Sequence, residues 1–194
     1  MASKPKPSRR RSRARSKPGD PYRLHSILVP TDLSELSGRA LPYAEALAAR
    51  FGAKLMILYV IDPVGLPAVA KALLEPEKLA DACRRELERF LTAAKVKPEL
   101  VEGTLIQTGA ADEEIVRTAR VLKSDLIVLS THGRTGLKHA LLGSATEKVT
   151  RHAPCPVLIV REKEREFVTE PATVAAPPRT RTKPNQTAPR RPSP

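Results

Sequence analysis

The chain has 194 residues and a formal net charge of +13, with 41% hydrophobic residues, only 3% aromatic residues and no tryptophan. That apolar content suffices for one core. With so few rings, the core must come from Ile, Leu, Val and Ala, the composition of helices packed on a parallel sheet. No run approaches the ~20 apolar residues of a membrane span, no apolar signal segment opens the chain, and Cys83 and Cys155 show no metal-ligand spacing. The expectation is therefore a cytoplasmic protein with two reduced thiols, no protein-held metal and no membrane contact.

Residues 1–20 hold eight Lys or Arg and one acid, Asp20, a charge of +7 in a stretch of Pro, Ser, Lys and Arg that cannot pack. They are read as a disordered basic tail. Ser26–Pro30 is a short apolar run closed by proline and reads as a buried strand. Residues 34–51 carry Leu36, Ala40, Tyr43, Ala44, Leu47 and Phe51 at helical spacing, with Ser34 as N-cap, Gly52 as stop and Pro42 as a kink. Lys54–Ile61 is a second apolar strand, and residues 62–74 are irregular or loosely helical. Residues 76–95 form an amphipathic helix with Leu79, Cys83, Leu87, Phe90 and Leu91 on one face.

Residues 100–107 alternate as a third strand, and residues 110–122 form a helix whose acidic start, at Asp112, suits the helix dipole. Residues 125–130 are a fourth strand, 131–142 a long loop with two glycines, and Ser144–His152 a short helix with Ser144 and Glu147 as a capping box. Pro156–Arg161 is the fifth strand. Residues 163–194 form a second, Pro-rich basic tail; residues 167–194 hold seven of the chain's 19 prolines and a charge of +4. The middle, 21–166, is left with +2. Five short apolar strands alternating with helices predict one α/β domain over 21–162, a doubly wound parallel sheet with helices on both faces.

Such sheets bind ligands beyond the carboxyl ends of their strands, where the strand order reverses. Two segments qualify: the turn Pro30-Thr31-Asp32, and the loop from Ser130 to Ser144. The loop follows a strand and ends at a helix start, where amides and the dipole favour phosphate. Its glycines are equally the ordinary punctuation of a turn. Asp32 reads as well as an Asx turn or helix cap as it does as a ligand residue. Arg134, Lys138 and His139 make the loop basic, and His132 is read as a surface side chain rather than a catalyst. Cys155 reads as a buried, inert thiol. No Walker loop, strand-linked GxGxxG or HExxH is present, and no carboxylate pair is held for acid–base work. Slow ATP hydrolysis is the most that this inventory allows.

The loop resembles the nucleotide loop of the universal stress protein family, G-x-x-G-x9-G-[S/T]: Gly133, nine residues, then Gly143-Ser144, with Ser130 in place of the first glycine. The segments Ile27–Ser34, Tyr59–Asp62, Gly109 to Ile115 and Arg151–Val160 also resemble that family, although Ala111 stands where proline is common. The resemblance covers about residues 22–161. It implies a Rossmann-like fold of the adenine-nucleotide alpha hydrolase type and a regulatory role in stress response. It also implies ATP, with or without Mg or Mn, in a cleft between the first and fourth strands. Asp32 would meet the adenine or ribose end, with Pro30, Thr31 and Val60 lining that wall. Leu129, Ser130 and Gly133 would cover ribose and phosphates, and Gly143, Ser144, Ala145 and Thr146 would hold phosphates at the helix start. Serine at 130 lacks glycine's ease at positive φ. The resemblance further implies a homodimer through the edge strand Pro156–Arg161. The competing readings are a dimer module with an empty pocket, and basic tails that bind nucleic acid or another polyanion weakly and without sequence choice.

Overall fold

The computed structural model describes residues 24–62, 76–131 and 143–161, together with Val168. The N-terminal tail, most of the C-terminal tail, the segment expected to be irregular at 63–74 and the glycine loop from His132 to Leu142 lie outside the described residues.

Five strands form one parallel sheet in the order β3-β2-β1-β4-β5. They are β1 (Ser26–Thr31), β2 (Lys54–Ile61), β3 (Val101–Thr108), β4 (Leu126–Ser130) and β5 (Val157–Val160). Among the described residues the helices are α1 (Glu35–Gly38), α2 (Ala40–Phe51), α3 (Pro76–Ala93), α4 (Ala111–Leu122) and α5 (Ser144–His152), and a 3-10 turn spans Pro98–Leu100. The order makes β1 and β4 the strands at which the winding reverses, and puts β5 at one edge.

The strands alternate between two apolar layers, as the pleat requires. Ile27, Val29, Leu55, Ile57, Val128 and Val160 face a cluster with Leu41, Ala44 and Ala48 of α2 and Leu87 of α3. Leu28, Leu58, Ile127 and Leu129 face Ile115, Val116 and Ala119 of α4 and Val149 of α5. Helices thus cover both faces. Val168, inside the expected C-terminal tail, packs against the first cluster.

Three details differ from the sequence reading. The helix expected over 34–51 is two, broken at Arg39. Ser34 caps the first, accepting the Ser37 N–H. The break falls one turn before Pro42, which becomes the third residue of α2, within the first turn, where its missing N–H leaves no helical bond unmade. Phe51 is 37% exposed rather than buried, while Gly52 stops the helix as expected at φ 70°. Third, Ser144 and Glu147 form no capping box. Gly143 is the N-cap, and the Glu147 carboxylate instead accepts from Arg151 at 2.9 Å.

Candidate functional site

The β1–β4 pairing stops short of the carboxyl ends of the two strands. β1 pairs with β2 from Ser26↔Lys54 through Thr31↔Tyr59, and β4 with β5 through Ser130↔Val160. Between β1 and β4 the ladder holds only Ile27↔Leu126 and Leu28↔Ile127, although each strand runs three residues further. Pro30 supplies the reason. The Ser26 N–H donates to Asp125 Oδ2 at 3.0 Å and the Ser26 carbonyl accepts the Asp125 N–H at 2.9 Å, so Ser26 faces β4. Alternation along the strand then aims Leu28 and Pro30 at β4 as well, and proline has no N–H to give. Pro30 does not end the strand, which continues to Thr31; it ends the ladder.

Just beyond β1, Asp32 Oδ1 accepts the Ser34 N–H at 3.1 Å and the Ser34 hydroxyl at 2.6 Å, an Asx-type turn. Thr31 is buried, and its Oγ1 lies 2.8 Å from Ser37 Oγ. At the β4 end, Ser130 keeps extended backbone; the non-glycine residues with positive φ among the described ones are Leu33, Lys95 and Lys123. Serine in place of the family's glycine is therefore unstrained here.

The α5 start is tied to the end of β4 by two bonds. The Gly143 N–H donates to the Thr131 carbonyl at 2.8 Å, and the buried Thr146 hydroxyl donates to the Ser130 carbonyl at 3.1 Å. Thr131 is itself held by its N–H on the Val160 carbonyl at 3.0 Å. Lys148 bridges to Asp112 of α4 at 3.3 Å, and Val149 is fully buried. Gly143 adopts φ −65°, ψ 147° and offers no side-chain cap. The amides of Ser144, Ala145 and Thr146 have no acceptor within the helix, and the dipole's positive end lies there.

The structure thus brings Pro30, Thr31, Asp32, Leu129, Ser130, Gly143, Ser144, Ala145 and Thr146 to the carboxyl ends of the two neighbouring strands, and Val60 lies near the same end of β2 on the α4–α5 face. Leu129 is 5% exposed with its side chain in the core, so only its backbone is presented. The side chains of Thr31 and Thr146 serve internal bonds. Gly133 is outside the described residues. The sequence reading missed Ser37, whose bonds to Ser34 and Thr31 are local to the β1–α1 turn, and the backbone of Thr131, which joins β5 and the α5 start across space. Cys155 is half-buried rather than buried; burial, and secondarily the Asp125 carboxylate, push its thiol above the usual range. Among the described residues, no three of His, Cys, Asp and Glu gather to hold a metal, and no helix is long and apolar enough to cross a membrane.

Residues 23–161 match the sequence profile of the Universal stress protein family. The chain belongs to that family. A universal stress protein of Methanocaldococcus jannaschii is 37% identical over 148 residues, which cover 72% of this chain and 84% of that protein. The solved structure of a second universal stress protein of that organism superposes with TM-score 0.60 at 32% identity, covering 73% of this chain and 98% of the other. A universal stress protein crystallised in complex with cAMP superposes with TM-score 0.50 at 30% identity, covering 72% and 98%. These matches fall on the α/β domain, and this universal stress protein carries its basic segments on either side of it.

Proposed function

We propose that this chain binds an adenine nucleotide, ATP above all, between the carboxyl ends of β1 and β4, and that it acts as a regulatory stress-response module. The observation that carries the reading is the β1–β4 ladder ending at Leu28↔Ile127 beside a helix start whose N-cap is glycine. A side-chain cap would claim the first-turn amides for the protein; glycine leaves them to a phosphate. The cAMP complex of a relative supports an adenine nucleotide as the ligand class. Phosphates would lie against the amides of Ser144–Thr146, with Mg or Mn as counter-ion, and Asp32 would face the nucleoside.

A homodimer through β5 accompanies this reading. β5 is an edge strand of four apolar residues, and such an edge invites pairing with a second copy. The basic segments add weak polyanion contact by charge alone. Mass spectrometry of the gently purified chain tests the ligand class: a retained adenine nucleotide supports the proposal. A protein that retains none and shows no thermal shift in millimolar ATP is instead a dimer module with an empty pocket.

A further inference from the structure

The Asp32 carboxylate is held by a ring of hydroxyl contacts that reaches back into the core. Oδ1 accepts the N–H of Ser34 at 3.1 Å and the hydroxyl of Ser34 at 2.6 Å. Ser34 is fixed in turn. Its Oγ accepts the Ser37 N–H at 3.1 Å, and its carbonyl accepts the Ser37 hydroxyl at 2.9 Å. Ser37 is 4% exposed. With its one proton committed to the Ser34 carbonyl, its 2.8 Å contact with Thr31 has the Thr31 hydroxyl as donor. Thr31 Oγ1 also accepts the Leu33 N–H at 3.0 Å, which steadies a leucine at φ 65°.

We infer that Ser34 is the positioning residue that aims Asp32, and so sets selectivity for the nucleoside end of the ligand. The inference rests on the nucleotide reading above. An unheld aspartate samples several rotamers and must be ordered on binding. Two bonds to one carboxylate oxygen fix the plane of the group beforehand, and the hydroxyl bond is charge-assisted. A fixed acceptor favours ligands that present an N–H or O–H donor there, as adenosine's ribose and amine do. Inorganic triphosphate presents neither.

The test is calorimetric titration of the full chain with ATP and with inorganic triphosphate. Ser34→Ala should weaken ATP about tenfold and leave triphosphate unchanged. Ser34→Thr, which keeps the hydroxyl, should restore ATP affinity. In an Asp32→Ala background, Ser34→Ala should have no further effect on ATP. Ser37→Ala serves as control: it breaks the buried contact and should lower Tm while leaving the ratio of ATP to triphosphate affinity closer to wild type. Should Ser34→Ala not fold, Ser34→Gly carries the same comparison, because glycine is tolerated at an N-cap. Equal loss for both ligands, or additive effects of Ser34→Ala and Asp32→Ala, overturns the inference. Wild-type ATP affinity in Ser34→Ala overturns it alone and leaves the nucleotide reading standing; a wild type that binds neither ligand removes both.

Discussion

Replacing Gly143 with aspartate should strengthen the fold and abolish phosphate binding at once. Gly143 sits at φ −65°, ψ 147°, a conformation that any residue adopts and that suits an N-cap. Three gains follow. Replacing glycine where the backbone is compatible stabilises by about 0.4–1 kcal/mol, a side-chain cap adds a few tenths, and a negative charge at the dipole's positive end adds about 0.3–1 kcal/mol. Because these gains overlap, the net is about 0.3–1 kcal/mol, which should raise Tm by about 1–3 °C in a domain of this size. The same carboxylate claims an amide of Ala145 or Thr146 and repels the ligand. Losing one charge-assisted bond costs about 1.5–3 kcal/mol. A like charge at about 4 Å opposes binding by about 1 kcal/mol in water and about 4 kcal/mol at an effective dielectric of 20. ATP affinity should therefore fall at least about a hundredfold. Scanning calorimetry and titration on one preparation read both effects. A lower Tm would refute the N-cap assignment; unchanged ATP affinity would refute phosphate binding at the α5 amides.

Thr146→Val keeps the shape but removes the donor to Ser130, and urea denaturation should show about 0.5–1.5 kcal/mol lost. The double substitution Leu158→Lys/Val160→Lys, on the strand at the sheet edge, should convert a dimer into a monomer in sedimentation velocity. A dimer that persists would remove β5 as the interface. Deleting residues 1–20, which hold a charge of +7, should flatten the salt dependence of binding to a nucleic acid. With about five phosphates contacted, the full chain should show a slope near −4 in log K against log salt. An unchanged slope would reduce the segment to a solubility device.

The fold was legible because its signals are local. Four strands are short apolar runs and the third alternates, and the longer helices repeat their apolar positions at 3.6 residues, so element type and order could be read to within a residue or two. Gly52 likewise announced a left-handed helix stop. What was not legible arises between segments. The disruption expected at Pro42 takes the form of a full break at Arg39, which leaves the proline in the first turn of α2. Pro30 read as the end of a strand, and only the pairing of Ser26 with Asp125 reveals that it ends a ladder instead. Serine at 130 looked costly against the family's glycine, yet the position is extended, so Ser130→Gly has no backbone strain to relieve. Asp32 was legible both as a turn residue and as a ligand residue, and the structure shows the turn; its bonds to Ser34 are compatible with both roles.

Titration calorimetry of the full chain with ATP, with and without magnesium, tests the central claim most directly. A saturable heat at one site per chain is expected, weakened by Gly143→Asp and by Asp32→Ala, with only the former also weakening inorganic triphosphate. No heat and no thermal shift at millimolar ATP would contradict it.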